Sequence, residues 1–231
     1  GVVHNTGVTN KNQVVSGIME GSRFGLRGSE DLGGGFRAIF TLENRTELNN
    51  GTLSNRPQSG SQLPDRFADA SLLVPALCPA QPCAIQAAVS QVNANLAGAA
   101  LGVNLRNSFW DRQAYVGLVT PVGAVLAGRQ YTPAYEVTAT FDVMGTQSSL
   151  SAGQVASFPA STEIRIDNAL QYRIVFGGLT ASAMYAFGNV ANNTKAGRLG
   201  GVMAMYRAGP FAVGLGYNQR NNDIGQESLQ S

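Results

Sequence analysis

From Ile164 to Phe176 the chain alternates with period two. Ile164, Ile166, Leu170, Tyr172, Ile174 and Phe176 fall on one side, with Asn168 the polar exception. Arg165, Asp167, Ala169, Gln171, Arg173 and Val175 fall on the other. A strand sends successive side chains to opposite faces, so this segment predicts a sheet with one greasy side and one wet side. Phe36–Leu42, Leu179–Phe187 and Phe211–Tyr217 repeat the pattern. Strands are predicted near 15–28, 35–45, 107–119, 123–131, 164–176, 179–190, 198–207 and 210–220, with a strand tail at 1–4. Several run past the usual five or six residues. Such lengths suit tilted strands that cross a bilayer, and aromatics gather at their ends.

The predicted connections alternate too. Ser29–Gly35, Thr120–Gly123, Gly177-Gly178 and Ala208–Pro210 read as tight turns. The stretches of about 46–106 and 132–163 read as long loops, which a compact soluble domain seldom carries. Ile85, Val89, Val92 and Leu96 recur at helical spacing and predict a short helix near 81–97.

Composition narrows the class. Charged residues are 13% of 231, about half the usual share, and glycine is frequent at 28 residues. No apolar run approaches the roughly 20 residues of a membrane helix, whereas barrel strands are short and individually weak signals. The net charge of +2 gives no footprint for nucleic acid. Of 16 basic residues only Lys11 and Lys195 are lysine. Arginine keeps its charge and a planar fork, which suits fixed positive charge on a rigid wall; a compositional bias of the genome is the plainer explanation.

Cys78 and Cys83 flank two prolines, and read either as a local disulfide in an oxidising compartment or as two unpaired loop thiols. With His4 as the single histidine, neither a zinc site nor a nucleophile–histidine set is credible. Gly33-Gly34-Gly35 is not followed by Lys-Ser/Thr, so it is no phosphate loop.

Four segments carry a resemblance. Gly21–Asn44, with Arg23-Phe24-Gly25-Leu26-Arg27-Gly28 and Phe36-Arg37-Ala38-Ile39-Phe40, looks like the second strand, first short turn and third strand of β-proteobacterial general porins. Arg112–Leu118 is similar to the family's fourth strand, Gly128–Tyr131 to the end of its fifth, and Arg165–Arg173 to its sixth. The segments occur in the family's order, and the chain reads as its first six-tenths, with only the end of strand one and no terminal aromatic. The opening Gly1-Val2-Val3 fits a mature or trimmed product.

The resemblance implies an all-β fold. One domain, 1–231, would form part of a transmembrane antiparallel up-and-down barrel of about 16 strands, eight or nine of them here. It implies a homotrimer in the outer membrane, among lipid and lipopolysaccharide, passing small hydrophilic solutes and ions without cofactor, metal or enzymatic step. An adhesin or structural anchor is the alternative. The small apolar strand Gly123–Gly128 suits packing against another subunit. The loop at 132–163 would fold inward and narrow the pore opposite wall arginines at Arg23, Arg112 and Arg165. Strand parity agrees for Arg23, opposite Phe24 and Leu26, and for Arg165. Asp142 is the favoured acid on that loop, with Glu136 and Glu163 behind it. Arg129 is a candidate to anchor the loop or add to the field.

Overall fold

The computed structural model describes residues 2–5, 11–14, 22–46, 48, 51, 108–145, 164–221 and 227–230. Among these, two short strands, β1 (Val2–Asn5) and β2 (Lys11–Val14), pair with each other as a separate hairpin. The rest is one antiparallel sheet of nine strands in chain order. Eight are long: β3 (Arg23–Gly33), β4 (Phe36–Arg45), β5 (Gln113–Thr120), β6 (Gly123–Tyr131), β7 (Arg165–Phe176), β8 (Leu179–Ala186), β9 (Leu199–Ala208) and β10 (Phe211–Asn221). The short β11 (Glu227–Gln230) adds to the edge beside β10. One helix, α1 (Pro133–Phe141), follows β6 directly.

Strictly sequential pairing makes this an up-and-down meander. Gly34-Gly35, Pro121-Val122, Gly177-Gly178 and Gly209-Pro210 close one end of the sheet. Gly34 and Gly35 (φ 62° and 83°) and Gly177 and Gly178 (φ 54° and 86°) take the left-handed region at both turn positions. That is the two-residue turn whose twist matches a hairpin, and side chains there would be strained. The strand ends that flank the long connections are at the opposite end.

The register gives each face a continuous row structure. Phe24, Leu26, Phe40, Val116, Leu118, Val125, Leu170, Tyr172, Tyr185, Val202, Val213, Leu215 and Tyr217 are exposed on one face. A water-soluble sheet would bury them; a lipid-facing wall presents them. Aromatics mark both borders. Phe36, Phe176 and Phe211 sit beside the short turns, and the Tyr172 hydroxyl donates to the Val122 carbonyl at 2.7 Å. At the loop end Phe24, Phe109 and Trp110 contact edge to face, as do Tyr185 and Phe187. Amphipathic rings favour such interfaces.

The inner face carries Arg23, Arg27, Thr41, Glu43, Gln171, Arg173, Ser182 and Asn218. Its apolar part is a buried cluster of Ile166, Ala169, Met184, Ala186 and Leu199, on β7, β8 and β9.

Several expectations need adjusting. β3 continues to Gly33, so the turn is Gly34-Gly35 alone; polar Ser29 and Asp31 are no obstacle on a wet inner face. β5 starts at Gln113, because residues 108–112 form a bend stitched to β4. β8 stops at Ala186, where the chain leaves the ladder for an irregular connection. The largest change lies in β7. Ladder pairing steps from Gly128↔Ala169 to Gln130↔Ile166, so Asp167 and Asn168 together oppose Arg129. Asn168 adopts φ 51°, which asparagine tolerates better than most residues. This bulge reverses the alternation above it. Ile164 and Ile166 are therefore buried, Ile166 with the inner cluster, rather than sharing the exposed face of Leu170 and Tyr172. The helix expected near 81–97 lies outside the described residues.

Candidate functional site: an arginine cluster and an inward helix

The ends of β3, β4, β5, β6 and β7 meet at the loop end of the sheet and bring charged side chains together. Glu43, on the inner face of β4, is the hub. Arg112 donates its Nε to Glu43 Oε1, and both side chains are largely buried. Arg23 Nη1 lies 3.8 Å from Glu43 Oε1 and Arg27 Nη2 lies 3.7 Å from Oε2. Tyr131, ending β6, bridges to β7: its hydroxyl accepts from Arg112 Nη2 at 3.2 Å and from Arg165 Nη2 at 3.1 Å. The Arg165 guanidinium also lies 4.7 Å from the Tyr131 ring centroid, a cation–π distance. Arg45 is buried close by, within electrostatic reach of Arg112 and Arg165.

Further hydrogen bonds brace the cluster. Asp111 accepts the Arg45 backbone N–H at 2.8 Å through Oδ1. Arg129 Nε donates to the Asp111 carbonyl at 2.7 Å, and its Nη1 pairs with Asp167 Oδ1 at 2.6 Å. Asn44 Nδ2 donates to the Phe109 carbonyl. Six arginines thus gather about three carboxylates, on or beside strands whose order is fixed by backbone pairing. Unbalanced guanidinium charge at a partly desolvated wall attracts anions and repels cations.

Helix α1 leaves this cluster and lies on the inner wall over β10, β9 and β8. Pro133 occupies the first helical position, which has no need of its N–H. Thr132 makes no side-chain cap, and the Ala134 N–H is instead accepted by Asn218 Oδ1 of β10 at 3.3 Å. A strand side chain thus takes the part of the missing N-cap. Tyr135 stacks on Tyr131 with centroids 5.3 Å apart. Glu136 accepts from Arg173 of β7 at 3.3 and 3.1 Å. Val137, Thr138 and Thr140 are poor helix formers, and nine residues are too few for a helix to persist alone, so docking on the wall holds it. Burial pushes the Glu136 carboxyl above its ordinary range, with Arg173 acting in the opposite sense.

Of the residues named from sequence, Arg23, Arg112 and Arg165 are joined through Glu43 and Tyr131. Arg129 braces the bend before β5 and the β7 bulge. Glu136 is the helix acid that meets a wall arginine. Asp142 closes the helix: Oδ1 accepts from the Met144 N–H at 3.0 Å and its carbonyl from Gly145 at 2.9 Å. Glu163, Cys78 and Cys83 lie outside the described residues. Sequence reasoning missed Arg45, Tyr131, Arg173, Asn218 and the hub role of Glu43. Glu43 and Arg173 were legible as wet-face positions of alternating strands, whereas Tyr131 matters through the two arginines brought to its hydroxyl and Asn218 through where α1 goes.

A family model described as Gram-negative porin matches residues 1–231. An outer membrane porin protein of Bordetella pertussis is 47% identical over 47 residues, 20% of this chain and 11% of that protein. The anion-selective porin from Comamonas acidovorans superposes with TM-score 0.57 at 20% identity, covering 94% of this chain and 52% of that one. OmpF of Salmonella typhi, in complex with daunomycin, gives 0.54 at 19%, covering 96% and 51%. The chain therefore spans about half the length of these solved barrels. An ordered meander with a greasy outer face and a charged inner face is what half of such a barrel requires, and the chain belongs to the Gram-negative porin family, whose members reside in the bacterial outer membrane.

Proposed function

We propose that the intact protein is a passive, water-filled channel for small hydrophilic solutes and ions, leaning towards anions. It works as a homotrimer, with no cofactor and no chemical step. The observation that carries this reading is the convergence of Arg23, Arg112 and Arg165, with Arg45, on Glu43 and Tyr131 where the helix turns inward. A fixed positive wall beside a narrowing is a physical route to anion preference. That one structural relative is titled an anion-selective porin fits the same sign. The trimer reading draws on the smooth outer surface where Val116 pairs with Ala127 and Leu118 with Val125. These aliphatic side chains, none of them aromatic, suit a protein neighbour, while the aromatic-rich strands β7 to β10 suit lipid and lipopolysaccharide.

The test is reversal potential across a salt gradient in planar bilayers, for the full-length protein and for Arg23→Gln, Arg112→Gln and Arg165→Gln. Wild type is expected to favour anions, each substitution to move selectivity towards cations, and raised salt to shrink the difference as the screening length falls below about 10 Å. Unchanged potentials at normal conductance would remove the arginines from the selectivity site. Absence of conductance steps would favour an adhesin or anchor instead. Native mass measurement in mild detergent checks the trimer; an active monomer would count against it.

A further inference from the structure

We propose that Gly216 and Gly214 on β10, with Gly201 on β9, set the bore: their missing side chains let α1 lie against the wall, and so fix how much of the passage the helix fills. The proposal rests on the channel reading above.

The geometry is specific. A Cβ on Gly216 would stand 2.8 Å from the Cα of Ala134 and 3.1 Å from Val137 Cγ2. One on Gly214 would stand 2.5 Å from Phe141 Cε2, and one on Gly201 2.5 Å from Asn218 Oδ1 and 3.1 Å from Pro133 Cδ. These three conflicts differ in kind. The Phe141 ring can turn aside and Asn218 can swing. The Ala134 Cα is helix backbone, and it cannot give way unless the helix moves.

The direction of that movement is constrained. Behind the helix is a hydrogen-bonded sheet, with Gly216 paired to Met203 and Gly214 to Met205. Along the wall the helix is held at two points, by Asn218 at its N-terminus and by the Arg173–Glu136 pair one turn on. Tyr135, stacked on Tyr131, adds a third tie towards the arginine cluster. Relief is left in one direction, away from the wall and into the space the barrel encloses. Gly216 is therefore the decisive position, and Arg173 and Asn218 are positioning residues that keep the helix in register above it.

The experiment uses the full-length protein with two independent readouts. Liposome swelling with uncharged sugars of increasing size reports the exclusion limit without interference from pore charge. Amide hydrogen exchange over residues 133–141 reports the seating of α1 whether or not the protein conducts. Gly216→Ala is expected to lower the exclusion limit and Gly216→Val to lower it further, with exchange over 133–141 faster by about tenfold. Arg173→Gln is expected to speed exchange over the same residues. Gly200→Ala, whose Cβ would meet nothing within 4 Å, is expected to change neither readout. Where valine prevents folding, the alanine variant decides, since it asks for a smaller displacement. Gly216 variants that match wild type in both readouts overturn the proposal while wild-type swelling leaves the channel reading intact. Wild-type protein that passes no sugar, yet shows the exchange difference, overturns the channel reading and keeps the helix seat.

Discussion

Arg129 pairs with Asp167 at 2.6 Å across the one place where β7 carries a residue more than β6. The extra residue is absorbed by Asn168 at φ 51°, so the ion pair spans the bulge. Bulged strands keep their register only where local contacts hold them.

Replacing Asn168 tests that arrangement. Asn168→Val forces a β-branched side chain into the left-handed region and is expected to cost about 1–3 kcal/mol. Asn168→Gly is expected to lie near wild type. The urea midpoint for unfolding from lipid vesicles distinguishes the two.

Glu43 makes a prediction opposite in sign to that for the arginines around it. Glu43→Gln removes the carboxylate from a pair whose arginine side chain is only 6% exposed. Stranding one partner of a buried pair costs about 3–5 kcal/mol, and Arg112 keeps its bond to Tyr131, which favours the lower end. In protein that still folds, the uncompensated wall is expected to shift reversal potential further towards anions. A shift towards cations would mean that Glu43 does not temper the field.

Acidity is expected to tighten the helix seat. Glu136 lies on α1, outside the strands that cross the membrane, and burial raises its carboxyl above 4.5, against the pull of Arg173. A group with its pKa raised on docking favours the docked state fully below the undocked value. That contribution is lost as pH rises through the docked value. Exchange over 133–141, corrected for its intrinsic pH dependence, should therefore slow as pH falls towards 4.5. Glu136→Gln should flatten that dependence. Exchange that quickens in acid would show instead that the Arg173 ion pair dominates.

Cys78 and Cys83 are expected to be joined to each other in the long connection after β4. Peptide mapping without reduction reads the link directly, and two alkylated thiols would refute it without touching the pore.

Much of this fold is written in single-strand patterns. Period-two alternation marked β4, β7, β8 and β10, where one side is apolar and the other wet, and the two turn glycine pairs punctuate it; β5 and β6 alternate less clearly and were legible mainly from the family's pattern. It misled above Asn168, where one added residue reverses the phase and leaves no mark in composition. The clustering of Arg23, Arg112 and Arg165 was legible from the family's pattern, but their partners were not, and the bulge removes the strand parity that placed Arg165 opposite Leu170 and Tyr172. Glu43 looked like one wet-face acid among several, and its role depends on β3 and the bend before β5 bringing guanidinium groups to it. Helix α1 was hidden for a related reason: Val137, Thr138 and Thr140 argue locally against a helix, and the glycines that accommodate it lie some 60 to 80 residues further on.

The two-residue turns at one end have a consequence for how the wall is assembled. β3–β4, β5–β6, β7–β8 and β9–β10 are each joined by the shortest practical connection, so each pair can form from contacts close in sequence. Isolated hairpins form in about 1–10 μs, whereas bringing distant segments together costs chain entropy first. The kinetic grain of this sheet is then the hairpin rather than the strand. Its slow steps are the lateral joinings β4 to β5, β6 to β7 and β8 to β9, where the intervening chain is long. The most exposed moment in its biogenesis falls there, when finished hairpins present unpaired edges to one another and to anything else nearby.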